Sequence, residues 1–483
     1  MKLSKIMLAV ASVAIGSAAI AAPAAVNIGY STGASATKGN LKNTLQNMCK
    51  FTNPVALTGA TGFDLTEFAS GSNVSTYVCS NKGTTLSSAD YANASTLFRN
   101  FTGTQFAELR LNVSPGSFGS IRGYNGIFTD DLGANLVFRE PSTATDRTQA
   151  QLIADRPGVV FVGGLSDVDP QGFPSTVTAG LTIPSTPSAG IQQAFGVAVS
   201  VPLYNEMFKS QRSVGAATVA KPIPSTCAAD GSGYPLAATT ADPLCVPTIS
   251  KGQMAAIMSA TDSNAAYAAG ASFLASTLAA DTELRYIRRP DTSGTQASAQ
   301  NYFLGFPCSL VSNPVVAQPQ STDNEEVDGV SVAGFTPGIV DNFDFKVNNI
   351  RVLLAPGTGN VRQELSKPTI QGGAANYAIG VMSGENNQTV GNVFRWLRVQ
   401  GAPMSENAAP ANGQTNRDAV ASGAYDFYYE SVYTGGPTVA GAASKFFGPV
   451  TTLLKTAQGT GLVRVADQLY TKGGSVCATS TAN

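Results

Sequence analysis

The stretch "ELRYIRRPDTSGTQASAQNYF", Glu283 to Phe303, divides into three pieces. A strand around Tyr286 and Ile287 comes first. A polar turn follows, in which Arg288 and Arg289 stand against Asp291, Thr292, Ser293 and Thr295. The rest has helical character. The same order of strand, small polar turn and helix start recurs along the chain. "AAVNIGYSTGASATKGNLKNTLQNMC" alternates at Val26, Ile28 and Tyr30, turns through glycine, and then spaces Leu41, Leu45 and Met48 as a helix does. "QFAELRLNVSPGSFGSIRGYNGIF" is a strand broken at Ser114-Pro115-Gly116-Ser117 and continued as a helix, and "NNIRVLLAPGTGNVRQELS" runs from a strand at Ile350 to Leu354 through a Gly-x-Gly turn into a helix. "GVVFVGGLSDVDPQGF" is an apolar strand, "IQQAFGVAVSVPLYNEM" a buried strand with a helix after it, and "PTISKGQMAAIMSA" a helix capped at Thr248 or Ser250. "ANYAIGVMSGENN" and the aromatic "AYDFYYESVY" read as strands, and "SKFFGPVTTLLKTA" as an amphipathic helix. Strands alternating with helices predict an α/β architecture with a mainly parallel sheet flanked by helices. A length of 483 residues exceeds one simple core, so two lobes are expected. Residues 50–104, rich in Ser, Thr, Asn and Gly, read as a loop-dominated insertion, and 309–345 as loose and polar.

Composition narrows the function classes. The formal net charge is -1, and only 13% of residues are charged. A nucleic-acid binder would carry a basic excess, so no nucleic-acid partner is expected. The chain contains no histidine, which excludes every His-dependent triad or general base. With no Cys-x-x-Cys either, a zinc site would lack its commonest ligands, and no metal, cofactor or catalytic residue is expected. The opening "MKLSKIMLAVASVAIGSAAIAAPAAV" has a basic start at Lys2 and Lys5, an apolar run from Ile6 to Ile20, and the small-x-small signal Ala19-Ile20-Ala21. It reads as a secretory signal peptide, residues 1–21, removed after Ala21. No cysteine lies at the cut, which argues against a lipid anchor, and no later apolar run is long enough to span a bilayer.

Six cysteines, Cys49, Cys79, Cys227, Cys245, Cys308 and Cys477, suggest disulfides in an oxidising compartment. Sequence alone does not choose among the pairings. Proximity favours Cys49–Cys79 and Cys227–Cys245, which leaves Cys308–Cys477.

Three of the turns share one chemistry: Ser35 to Lys38, Ser114 to Gly119, and Asp291 to Thr295. A helix N-terminus presents unpaired backbone N–H groups and a partial positive charge. Small residues let an anion approach those donors. Hydroxyls add donors, and an arginine fork grips two oxygens of a tetrahedral oxyanion. Singly, each turn is explained by ordinary helix capping, and Arg288 and Arg289 by surface charge. Gly357-Thr358-Gly359 completes no nucleotide fingerprint.

Together and in order, the turns resemble those of the phosphate-binding proteins of bacterial ABC importers, in the type II periplasmic-binding-protein superfamily. "TGASAT", Thr32 to Thr37, stands where that family has its first Thr-Gly turn. "GSFG", Gly116 to Gly119, matches the second turn, "GLSDVDP" supplies Ser166 and Asp167, and "RRPDTSGT", Arg288 to Thr295, is the most specific match. "GTGN" and "AIGV" follow in place. The resemblance implies two lobes joined by two crossings, 22–195 with 386–483 and 196–385, the second lobe carrying insertions at about 206–246 and 309–345. It implies a Gram-negative periplasm, a monomer, an importer membrane complex as partner, and inorganic phosphate or a related oxyanion held without metal in the cleft. Thr37, the Lys38 amide and Ser117 would donate from one side. Arg289, Ser293, Gly294 and Thr295 would donate from the other, with Asp291 orienting Arg289 and Arg288 structural. Asp167 would accept the proton that phosphate keeps at neutral pH, and sulfate would leave that carboxylate repelled.

This chain departs from the family at Lys38, which replaces an aromatic, and at Phe118 and Ser120, which replace small residues. The alternatives are a binding protein for another oxyanion or small organic anion, and a secreted adhesion or interaction protein. A phosphatase-like enzyme is disfavoured by the missing histidine and by the absence of an activated nucleophile.

Overall fold

The computed structural model describes residues 27–34, 38–51, 63–70, 73–81, 98–99, 105–113, 116–127, 136–140, 145–148, 151, 159–184, 186, 188–213, 223–225, 227, 243–259, 265–308, 340–341, 349–355, 357–370, 373–386, 394–404, 417–435, 462–464, 470–472, 477 and 481–482. Eleven strands build its main sheet. In chain order they are β1 (Asn27–Gly33), β2 (Phe63–Ser70), β3 (Val74–Asn81), β4 (Gln105–Asn112), β5 (Val159–Ser166), β6 (Ser188–Ser200), β7 (Leu284–Arg288), β8 (Val340–Asp341), β9 (Ile350–Leu354), β10 (Ala378–Ser383) and β11 (Tyr428–Gly435). The helices that matter below are α1 (Lys38–Phe51), α2 (Gly119–Tyr124), α3 (Val201–Ser213), α4 (Lys251–Met258), α5 (Gly294–Leu304) and α6 (Thr358–Ser366).

Across the sheet the strands run β8-β9-β7-β10-β6-β11-β5-β1-β4-β3-β2. Four of these ten pairings are parallel: β9–β7, β7–β10, β5–β1 and β1–β4. The other six are antiparallel. Three further strands, Phe98–Arg99, Phe394–Trp396 and Leu462–Arg464, also pair antiparallel, the first with β4 and the others with β6. The expected two-lobed fold with mainly parallel, helix-flanked sheets is therefore corrected to one continuous mixed sheet in which antiparallel pairs predominate.

The cause lies in β6. Its 13 residues extend about 43 Å at the usual rise per residue, long enough to serve two sets of partners. Phe195 to Val199 pair with Ser383 to Ile379 of β10, and Ala194 back to Ser188 pair with Tyr428 to Val432 of β11. The strand–turn–helix units are present, but β6 and β11 link them with antiparallel neighbours. The boundary expected at 195/196 falls inside this strand. Within 50–104, where composition suggested loops, β2 and β3 form a hairpin that joins the sheet through β4.

Local readings hold at the elements themselves. Ser250 caps α4 in a reciprocal box with Gln253: Gln253 N donates to Ser250 Oγ at 3.0 Å, and Ser250 N donates to Gln253 Oε1 at 3.0 Å. Such a cap is worth about 1 kcal/mol. Separate apolar clusters pack against the sheet. In one, Leu41 and Leu45 of α1 pack with Leu109, Leu111, Val162 and Leu165. A larger cluster joins Phe195, Val197 and Val199 of β6 to Ile287, Ile379 and Phe427. Fully burying side chains of this size stabilises by about 1.5–3 kcal/mol each. Tyr302, near the end of α5, stacks on Phe427 with ring centroids 4.4 Å apart, so the far end of that helix is anchored beside β11.

Among the described residues two disulfides are formed, Cys227–Cys245 with Cα atoms 5.7 Å apart and Cys308–Cys477 with Cα atoms 5.1 Å apart. They fit an oxidising compartment. The second ties the tail to the residues just beyond α5. The side chains of Cys49 and Cys79 lie outside the described residues, as do the leader (1–21), the helix expected at 444–457, and most of 309–345. Among the described residues no helix is long and apolar enough to cross a membrane.

Candidate functional site

The C-terminal ends of β1, β5, β7 and β10 carry the candidate residues. Glycines let the first two ends close up. Thr32 and Gly33 of β1 sit opposite Gly164 and Leu165 of β5, and Ala34 N donates to Leu165 O at 2.8 Å. Gly33 has φ +151°, and a Cβ there would lie 1.9 Å from Leu165 O. Two residues past Leu165 comes Asp167. Lys38 opens α1 four residues after Ala34, so the start of that helix belongs to the same end of the sheet.

The turn Gly116–Phe118 precedes α2. Gly116 takes φ +62°, a left-handed conformation that favours glycine. The turn presses directly on the turn before α5: Phe118 N donates to Thr292 O at 3.2 Å. Ser117 Oγ donates to Asp167 Oδ2 at 3.2 Å and accepts from Asp167 N at 3.1 Å. A Cβ on Gly294 would lie 2.1 Å from Ser117 Oγ and 3.1 Å from Asp167 Cβ. Ser117, Asp167 and the mouth of α5 are thus in van der Waals contact, although they come from three separate segments. Ser293, the N-cap residue of α5, makes no side-chain capping bond, and Ser293, Gly294 and Thr295 are all buried.

Arg289 follows β7 and is 6% exposed. Its backbone N–H donates to Gln296 Oε1 at 3.1 Å, and its Nη1 donates to Thr358 Oγ1, at the start of α6, at 2.8 Å. Asp291 was expected to orient Arg289. Its carboxylate is engaged by the neighbouring arginine: Arg288 Nη2 donates to Asp291 Oδ1, which also accepts from Gln300 Nε2 at 3.2 Å. Arg288 further donates from Nε to Arg289 O at 3.1 Å. A buried, hydrogen-bonded pair of this kind holds the turn in shape, which leaves Arg288 structural.

Asp167 is 4% exposed, and its carboxyl is pushed up to about 7. Burial is the main cause and the Glu385 carboxylate the next, while the Ser117 hydroxyl and Arg289 pull the other way. Oδ2 takes the Ser117 hydroxyl; Oδ1 is buried with no hydrogen-bond partner among the described residues. A buried acceptor left so costs about 1–3 kcal/mol.

The other expected residues take several roles. Thr37 lies outside the described residues. The Lys38 side chain is half-buried, 3.9 Å from Glu67 Oε1 of β2, and burial lowers its ammonium below the usual lysine range while Glu67 opposes that shift. Phe118, a departure from the family, is packed against Phe173 with centroids 5.3 Å apart, and Ser120 Oγ turns back to Ser117 O at 2.9 Å. Both departures are absorbed by packing around the turn.

Two participants were not assigned from the sequence. Thr358, inside the noted "GTGN", is the partner of Arg289. Glu385, two residues past β10, acts electrostatically on Asp167 and is itself acted on by Arg289. Its position after a strand end was the available signal.

An arginine, a carboxylate held near neutral pKa, and helix-mouth hydroxyls can grip an anion that also brings a proton. Among the described residues no group of three or more His, Cys, Asp or Glu side chains is placed to hold a metal. No protein-family model, curated protein or solved structure matches the chain.

Proposed function

We propose that this site binds a protonated tetrahedral oxyanion, inorganic phosphate first, and that the chain is a periplasmic capture protein for an ABC-type importer rather than an enzyme. The observation that carries the reading is Asp167 Oδ1, a buried carboxylate oxygen without a partner among the described residues, beside Ser117 and the mouth of α5. A carboxylate in an anion site is repulsive unless the anion donates to it. Hydrogen phosphate donates at neutral pH and sulfate does not. Arg289 supplies the charge, Ser117 its backbone N–H, its hydroxyl being taken by Asp167, and Ser293, Gly294 and Thr295 hydroxyl or N–H donors. The sequence motifs that resemble phosphate-binding proteins of importers support the same ligand. The signal-like leader and the two disulfides support export through a cleaved signal peptide to the periplasm.

Equilibrium binding of radiolabelled phosphate to the ligand-stripped protein tests this reading, with Arg289→Ala as the variant. Truncating a buried charge partner should weaken binding by about a hundredfold or more. Unchanged affinity in the variant would remove Arg289 from the site.

A further inference from the structure

We propose that Glu385 is a second proton acceptor of the oxyanion site, so that the complex holds two protons between the anion and the carboxyl pair Asp167–Glu385, the proton count of dihydrogen phosphate or dihydrogen arsenate. This inference rests on the oxyanion reading above and specifies the ionisation state of its ligand.

The serine–carboxylate arrangement of Asp167 recurs past the end of β10, the strand beside the one that carries Arg289. β10 runs parallel to β7, with Gly380 opposite Ile287, so the two strands end together. Arg289 follows the first and Glu385 the second. The segment bearing Glu385 is fixed: Ser383 pairs with Phe195, Gly384 N donates to Ala194 O at 2.8 Å, and Asn386 Nδ2 donates to Ser383 O at 2.9 Å. Ser383 Oγ donates to Glu385 Oε1 at 2.7 Å, as Ser117 does to Asp167, while Glu385 Oε2 is buried with no partner among the described residues. Each carboxylate therefore has one oxygen taken by a serine and one oxygen buried and bare.

Charge counting gives the same answer. The groups that act on Glu385 are Arg289 from the end of β7, Asp167 from the end of β5, and Ser383 and Asn386 on its own segment. Arg288 is paired with Asp291. Among the described residues one guanidinium, that of Arg289, thus acts on two carboxyls. A dianion would leave three like-charged groups around one cation and would satisfy at most one bare oxygen. A doubly protonated monoanion supplies a donor to each. Burial raises the Glu385 carboxyl above the usual range, which eases sharing of the second proton.

The test is the pH dependence of phosphate affinity from pH 8 to 9.5, measured by calorimetry on the full chain. In that range free phosphate carries one proton, so a two-proton complex must take up about one more, and affinity should fall about tenfold per pH unit. Glu385→Gln should flatten that slope, and its amide donor should raise sulfate affinity. Lys38 stays in both proteins, so its titration does not produce the difference. Glu385→Asp keeps the carboxyl and should bind more weakly with the slope intact. Phosphate binding with a flat wild-type slope, or a slope unchanged in Glu385→Gln, overturns the role of Glu385 and leaves the oxyanion reading standing. No phosphate binding by the wild type at any pH removes both.

Discussion

Ser117 and Asp167, 50 residues apart in sequence, exchange two hydrogen bonds: the serine hydroxyl donates to the carboxylate at 3.2 Å and accepts from the aspartate's own amide at 3.1 Å. One hydroxyl thereby fixes both the backbone and the side chain of the carboxylate. Oδ1 is left buried without a partner among the described residues.

That arrangement makes Asp167 costly to the ligand-free protein. Its carboxyl is raised to about 7 from an ordinary value of 3.8, so between those values the folded state binds more protons than the unfolded one. The stability this group contributes is fully present below the ordinary value and is lost as pH rises through about 7, a difference on the order of 2–4 kcal/mol. Asp167→Asn should remove that pH dependence and raise the melting temperature of stripped protein at pH 8, while weakening phosphate binding more than sulfate binding. Thermal unfolding at pH 5 and pH 8 checks the first part. Equal loss of both anions would contradict the proton-acceptor role.

Gly294 leaves no room for a side chain beside Ser117 and Asp167. A methyl at this position would press on Ser117 Oγ at 2.1 Å and Asp167 Cβ at 3.1 Å. Gly294→Ala should destabilise by about 1–3 kcal/mol through overpacking and should displace Ser117 from Asp167. Denaturant melts combined with phosphate titration check this. A variant of wild-type stability and affinity would show that the turns are not packed as described.

How much of this was legible beforehand depends on the range of the signal. The stretch from Glu283 to Phe303 reads correctly as strand, turn and helix because alternation and small helix-start residues act locally. Sheet topology was misread because β6 serves β10 at one end and β11 at the other. Those registers are set by residues up to about 240 positions away, and no local period reports them. The bond between Asp291 and Arg288 was not read from the sequence for a similar reason. Arg288 lies three positions before Asp291, and the turn through Pro290 brings that guanidinium onto the carboxylate. Glu385 belongs to no motif itself; its place just past the strand that carries "AIGV" was the local sign, and the meeting of β7 and β10 gives it a role.

The Cys308–Cys477 bond closes a loop of 169 residues, and chain-entropy arguments give such a bond about 3–5 kcal/mol. It ties the tail near Lys472, whose Nζ donates to Asp426 O at 3.1 Å and Tyr428 O at 2.9 Å. The paired replacement Cys308→Ser with Cys477→Ser should lower stability by roughly that amount and leave phosphate affinity nearly unchanged, since the bond lies at the far end of α5 from Ser293. Denaturant unfolding and a binding isotherm on the same preparation separate the two effects. A large loss of affinity would mean that the tail reaches the site.

The most direct measurement is a calorimetric titration of the mature, ligand-stripped protein at pH 7 with phosphate and, separately, with sulfate. Saturable one-to-one heat with phosphate, and affinity for sulfate lower by at least about a hundredfold, is the predicted result. No heat with phosphate, or equal affinity for the two anions, would contradict a site built around Asp167 and Arg289 to hold a protonated oxyanion.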